Sequence, residues 1–166
     1  MTLRLVLIRH AKSDWDNPLE TDHQRKLNAR GRRSAPLIGR WLAQKGYLPQ
    51  EALVSDATRT RETFALLCAD WPTLPVRFEP ALYHACPDVM LRALRTAKAQ
   101  TVLMIGHNPG IASFAAQLLQ RACAHPAFDR YPTCATLVAE FDAATWADVN
   151  YATGTALDFV VPRELE

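Results

Sequence analysis

Apolar residues come along this chain in short blocks whose period changes. Leu3 to Ile8 is an aliphatic run rich in branched side chains, interrupted once by Arg4. Such a run fits a strand covered on both faces, as in a parallel sheet. It stops abruptly on Arg9-His10, two groups that need water, charge or a ligand. Residues 12–27, KSDWDNPLETDHQRKL, have no period and read as a long loop. Helical spacing follows. Asn28 can cap a helix running toward Gln44, with Ile38, Trp41 and Leu42 on its inner face. Pro36 lies inside that pattern and is expected to kink or split it, and Lys45-Gly46 marks its end. Further short strands are expected at Ala52–Val54, Val76–Phe78, Thr101–Ile105, Thr136–Phe141 and Thr155–Val161. Helices are expected at Thr58–Ala69, capped by Ser55 or Asp56, and at Asp88–Lys98 behind Pro87. Another, Ile111–Ala122, follows the break Gly106-His107-Asn108-Pro109-Gly110.

Strands alternating with helices imply βαβ units. The expected fold is α/β: a three-layer α/β/α sandwich over residues 1–166 as a single domain. Its sheet is mostly parallel, with the last two strands antiparallel at one edge.

Composition changes little in this picture. Hydrophobic residues make up 49% and charged residues 22%, as in an ordinary soluble globular protein. A net charge of +2 does not by itself suggest nucleic acid, so any preference for anions must come from local clustering. No apolar run reaches the roughly 18 residues of a membrane span, and the first run is too short for a signal peptide. A cytoplasmic protein with no membrane or nucleic-acid partner is expected. Cys68, Cys86, Cys123 and Cys134 form no C-x-x-C pair and lack zinc-ribbon spacing. They read as four small core residues in a reducing compartment.

The chemistry gathers where the strands end. In open α/β sheets, ligands bind beyond the carboxyl ends of the strands. The first strand delivers Arg9 and His10 there. The second delivers Ser55 and then Arg59, in the first turn of a helix. The fourth delivers His107 and then Asn108, on a glycine-flanked turn. Two histidines and two arginines on one rim suit a phosphoryl group. Arginine offers phosphate a planar fork of donors. One histidine can act as a nucleophile that forms a covalent phospho-enzyme. The other can donate a hydrogen bond as charge spreads over the equatorial oxygens. Strand alternation points Arg9 away from His10 unless the strand twists or ends there.

Arg25, Lys26, Arg30, Arg32 and Arg33 form the densest basic run. It reads first as a solvated helix face, and second as a rim that attracts an acidic phosphoprotein or a second phosphate. Arg25 belongs to the loop after the first strand and is the one expected to reach the pocket. Arg61-Glu62 reads as surface, Thr63 as packed on the sheet, and His125 as an inert loop residue.

Four segments in order, LVLIRHAKS, LNARGRR, SDATRTRET and IGHNPG, resemble the histidine phosphatase superfamily with its phosphoglycerate-mutase-like fold. The likeness is to its small branch, similar to SixA phosphohistidine phosphatases. It runs nearly the whole length, including Trp146, Gly154 and a closing Asp-Phe-Val-Val-Pro. The resemblance implies that His10 is the nucleophile that becomes phosphorylated. It implies that Arg9 and Arg59 bind phosphate, that His107 is the second histidine of the pocket, and that no metal or cofactor is needed.

Two departures stand out. Ala11 replaces a glycine of the larger family, which matters only if φ is positive there. Many members also carry an acidic proton donor near the position of Tyr83; here Glu79, His84 and Asp22 are the candidates. Without such an acid, the enzyme would favour a leaving group that needs little help, such as a phosphohistidine imidazole. The implied activity is a metal-independent phosphatase working through phospho-His10 on protein phosphohistidine. Its partner would be a phosphotransfer domain of a bacterial signalling pathway, with a small phosphorylated molecule as the alternative substrate. A non-catalytic phosphate-binding module is the competing class. A metal hydrolase using His10 and His107 is disfavoured, because the strand ends carry no H-x-x-x-H or H-x-D pair and Arg9 would repel a cation. A mutase is disfavoured because the short chain shows no insertion to retain a small diphosphate.

Overall fold

The computed structural model describes residues 2–166. Six strands make one sheet: β1 (Thr2–Arg9), β2 (Glu51–Ser55), β3 (Val76–Glu79), β4 (Thr101–Gly106), β5 (Thr136–Asp142) and β6 (Thr155–Val160). Their order is β3-β2-β4-β1-β5-β6. The β3-β2, β2-β4 and β4-β1 pairs are parallel, whereas β5 runs antiparallel to both β1 and β6. The fold is therefore α/β, with a mostly parallel sheet and an antiparallel edge.

Four helices cover the sheet: α1 (Ala29–Lys45), α2 (Thr58–Leu67), α3 (Pro87–Leu94) and α4 (Gly110–Leu118). The apolar run of β1 is explained by their placement. Leu3, Leu5 and Leu7 pack with Met90, Leu91 and Leu94 of α3 and with Ile111, Phe114 and Leu118 of α4. Val6 and Ile8 pack on the other face with Ile38 and Leu42 of α1 and with Phe64 and Leu67 of α2. Arg4, near the start of the strand, is half-buried and pairs with Glu140, whereas Leu5 to Ile8 are buried on both sides and leave no position for a polar residue until the strand ends.

The structure corrects several local expectations. Asn28 caps α1 as expected, its side chain accepting from the Gly31 N–H, and Gly46 closes the helix in the left-handed region at φ 76°. Pro36, however, does not split the helix, which runs on to Lys45. Burial of Ala35, Ile38 and Leu42 on one face holds the helix together around the missing N–H. The N-cap of α2 is Ala57, without a side-chain bond, rather than Ser55 or Asp56. Three helices are shorter than their patterns. The clearest case is α4, which stops at Leu118 because the backbone at 152–154 takes its last carbonyls. Ala152 N–H bonds to Gln117 O, and both Thr153 and Gly154 N–H bond to Leu118 O. Of the four cysteines, all free, only Cys134 is fully buried; Cys86 is exposed and the other two are half-buried. Among the described residues, no helix is long and apolar enough to cross a membrane.

Candidate active site

Strand alternation puts His10 on the same face as Val6 and Ile8, beneath α1 and α2. The chain leaving it is clamped from both helices. The Ala11 N–H donates to Thr63 Oγ1 at 3.0 Å, and the Thr63 hydroxyl in turn donates to the Arg59 carbonyl at 2.7 Å. On the other side, the Asn28 N–H donates to the Lys12 carbonyl at 3.0 Å. Gly31 lies so close that a Cβ there would sit 2.2 Å from the same carbonyl. Ala11 is fully buried and is not among the residues with positive φ, so its methyl meets no backbone strain.

His10 Nδ1 lies 2.7 Å from the Ala11 carbonyl. A carbonyl only accepts, so Nδ1 carries the proton and Nε2 holds the lone pair. Burial, then the charges of Arg59, Arg9 and Arg25, lower its pKa to about 3 against the pull of that carbonyl. The His107 ring lies 5.3 Å away, centroid to centroid. Its Nε2 is 2.7 Å from Ser55 Oγ, and its Nδ1 is buried with no protein partner. Burial first, then the neighbouring His10, Arg59 and His84, lower His107 to about 2, against the pull of Asp22. Both imidazoles are neutral at neutral pH.

Three arginines surround this pair. Arg59, at 2% exposure, donates from Nη1 to the Asp22 carbonyl (2.7 Å) and from Nη2 to Asp22 Oδ2 (3.1 Å). Arg25, also buried, donates to Asp22 Oδ1 at 2.9 Å and to Ser13 Oγ, and lies 3.5 Å over the Trp15 ring. Arg9 donates to the Tyr131 carbonyl at 3.2 Å. Asn108, the neighbour of His107, donates to the same carbonyl, so the Arg9 guanidinium is near the cluster despite strand alternation, and burial and the Arg59 charge both lower its pKa. The Nε atoms of all three guanidinium groups are buried without a protein acceptor. Against three fixed positive charges stands one carboxylate, so the cluster carries surplus charge and donors that fit an oxyanion.

That carboxylate, Asp22, is the hub. Besides the two arginines, its Oδ2 takes a short hydrogen bond from Tyr83 OH and lies 3.1 Å from His84 Nε2. Partial burial alone would raise its pKa, but bonds from Tyr83, Arg25 and Arg59 hold it well below the usual carboxylate range. Asp22 is therefore an ionised counter-charge with no proton to give at neutral pH. His84 is on the rim, 5.5 Å from the His107 ring, with its backbone in the left-handed region at φ 53°.

Two expected site residues are elsewhere. Glu79 does not reach the cluster. It sits on the edge strand β3 on the same face as Arg77, whose guanidinium it meets at 3.5 Å. Asn108 is near His107 but its amide is committed to scaffolding. Nδ2 donates to the carbonyls of Arg130 and Tyr131, and Oδ1 accepts from Ala112 N–H in α4. Ser55 holds His107 rather than facing a ligand directly. Glu62, expected on the surface, accepts from the Leu27 N–H at 2.8 Å and ties α2 to the loop after β1. Sequence reasoning missed Tyr131, whose carbonyl receives Arg9 while its hydroxyl donates to Leu7 O at 2.6 Å. Its only signal was an aromatic residue in an irregular stretch. Among the described residues, no three His, Cys, Asp or Glu side chains gather as metal ligands would.

Comparison with known proteins agrees with this geometry. The profile of the histidine phosphatase superfamily (branch 1) matches residues 5–86. An uncharacterized protein of Mycobacterium tuberculosis is 32% identical over 94% of this chain and 100% of its own length. A structure of a Nakamurella multipartitia protein, named as a candidate phosphohistidine phosphatase SixA, superposes with a TM-score of 0.80. It is 28% identical, and the match covers 98% of this chain and 97% of that one. The protein histidine phosphatase SixA in complex with tungstate gives a TM-score of 0.79 at 20% identity, covering 99% of this chain and 100% of that one.

Proposed function

The chain belongs to the histidine phosphatase superfamily, and on that footing we propose that it is a metal-independent phosphatase acting through phospho-His10 on protein phosphohistidine. The observation that carries this is the state of His10. It is a neutral imidazole whose Nδ1–H is held by Ala11 O, leaving the Nε2 lone pair beside three arginines. Nε2 attacks phosphorus, the new N–P bond forms, and the P–N bond of the substrate breaks. The departing imidazole nitrogen keeps the electron pair and a proton. Water then attacks phospho-His10, releasing phosphate and restoring Nε2. Arg9, Arg25 and Arg59 bind the phosphoryl oxygens in both steps. With the Ser55 hydroxyl donating to His107 Nε2, 2.7 Å away, the His107 proton sits on the unpartnered Nδ1 and can stabilise spreading charge in this mechanism.

The leaving-group proton is the open step in such a site. Asp22 is ionised and Glu79 is absent from it, so His84, paired with Asp22, is the remaining group of the three that can carry a proton there. A phosphohistidine substrate asks least of it, because an imidazole leaves readily once protonated. That chemistry supports protein phosphohistidine, presented by a phosphotransfer domain, over a small phosphate ester. The test is phosphate release from phosphohistidine formed chemically on a small protein, with excess chelator present. We expect chelator-resistant turnover that is abolished in His10→Ala. Phosphate binding without turnover would leave a binding module instead, and loss of activity on chelation would point to a metal hydrolase.

A further inference from the structure

Described side chains include only three large exposed hydrophobics: Trp15 at 73%, Leu19 at 92% and Leu157 at 39%. Two of them are in the loop between β1 and α1, the same loop that brings Arg25 and Asp22 to the cluster. Trp15 stacks directly on Arg25. Trp15 thus stands on the rim of a site built for a small, strongly hydrated anion, which gains nothing from exposed apolar groups, and Leu19 lies in the same loop. Exposed tryptophan beside arginine is instead typical of an interface anchor.

A second feature borders the same site. Arg30 of α1, Arg130 and Arg163 line one cavity together with Ser34 and Thr133. Its wall is shared with the cluster: the carbonyls of Arg130 and Tyr131 receive Asn108, and Cys134 N–H bonds to the carbonyls of Arg9 and His10. None of the three guanidinium groups has an ion-pair or hydrogen-bond partner among the described residues. The first turn of α1 carries no acid, although the helix dipole favours one there, and Arg30 and Arg32 take its place. Three elements thus place positive charge at one spot at some cost in stability, with no ion-pair partner for it among the described residues.

We infer that this rim, formed by Trp15 and Leu19 with Arg30, Arg130 and Arg163, is the docking surface for an acidic protein that carries the phosphorylated histidine. The inference rests on the function proposed above and names the partner's chemistry. The arginines speed encounter with acidic side chains flanking the phosphohistidine, and the apolar loop seats on the partner's surface.

Two variants test it: Arg30→Glu/Arg163→Glu and Leu19→Ser. None of these side chains touches the catalytic cluster. Turnover is measured on free phosphoramidate and on an acidic phosphotransfer domain bearing phosphohistidine. Binding of that domain, loaded with a non-hydrolysable phosphohistidine analogue, is measured at low and high salt. We expect the charge reversal to lower kcat/KM on the protein substrate by about 10-fold or more and to flatten its salt dependence. Phosphoramidate turnover should stay within about 2-fold of the parent, because steering by a rim acts on encounter with a large partner. Leu19→Ser should weaken binding at both salt concentrations. Equal kcat/KM on the protein substrate in parent and charge-reversed protein would overturn the inference. If the parent hydrolyses neither substrate, the catalytic reading fails by itself. The binding arm then decides docking, and unaltered affinity in the charge-reversed protein sinks it.

Discussion

Lowering the pH from 7 to 5 should cost this fold about 2 kcal/mol for each of His10 and His107. In the unfolded chain a histidine titrates near its ordinary value of about 6.5. In the fold, burial and neighbouring charge lower His10 to about 3 and His107 to about 2. Between those limits the unfolded state binds protons that the native state refuses. Stability is therefore complete above the unfolded value and falls as pH drops through it, by up to about 1.4 kcal/mol per pH unit for each ring. The rings are 5% and 3% exposed, so solvent screening takes little from that figure. Asp22, also held low, adds a loss of the same sign, but only below the ordinary carboxylate range. Urea unfolding at pH 7 and pH 5 measures the effect in the parent, His10→Asn and His107→Asn. Asparagine at position 10 keeps a donor for the Ala11 carbonyl and removes the titration. The parent should lose about 4 kcal/mol across this interval and each variant about 2. His23, His84 and His125 are common to all three proteins and cancel in the comparison. If His10→Asn loses as much stability as the parent, His10 takes up its proton in the folded state, and the account of an always-neutral nucleophile is wrong.

Two packing predictions concern the clamp around the strand end. Thr63→Val removes the acceptor of the buried Ala11 N–H, which should cost roughly 1–3 kcal/mol and lower Tm by roughly 2–12 °C for a chain of this size. Calorimetry showing no change in Tm would mean that the bond contributes nothing. Gly31→Ala should destabilise, even though alanine is the better helix former by about 1 kcal/mol. Its Cβ would meet the Lys12 carbonyl at 2.2 Å and push α1 off the loop after His10. A higher Tm in that variant would show that the close approach relaxes without cost.

What was legible in the chain depended on range. The end of β1 on Arg9-His10 could be read because the apolar stretch Leu5–Ile8 fits a doubly covered strand, and polar groups collect where such a strand ends. His107 and Ser55 followed from the same rule at β4 and β2. Arg25 was legible as a residue of the loop after β1. Helix ends were less so. The pattern of α4 continued past Leu118, and only the distant 152–154 backbone, by taking its carbonyls, ends it. Glu79 was placed near the site by its distance in sequence from Tyr83, but its side chain follows the pleat of an edge strand toward Arg77. Asn108 looked like a ligand because it follows His107. Its amide instead answers carbonyls at 130 and 131, which no local pattern connects to it.

Asp22 shows most clearly why the cluster exceeds the sum of its motifs. Arg9, Arg25, Arg59, His10 and His107 come from two strand ends, a helix and a loop, and each is recognisable alone. Bringing three guanidinium groups together is costly unless a counter-charge comes with them. Asp22 supplies it from the one segment without any period, gripping Arg25 and Arg59 with both carboxylate oxygens and tying in Tyr83 and His84. One carboxylate is enough to let the arginines assemble and too little to neutralise them. The surplus, about two positive charges against a doubly negative phosphoryl group, leaves the folded site electrostatically incomplete. Burial chiefly keeps His10 deprotonated, and the same imbalance adds to it, since a proton there would add a further positive charge beside Arg59, Arg9 and Arg25. Charge that fits an anion and charge that adds to burial in freeing the nucleophile's lone pair are thus one arrangement, set by how many arginines share a single aspartate.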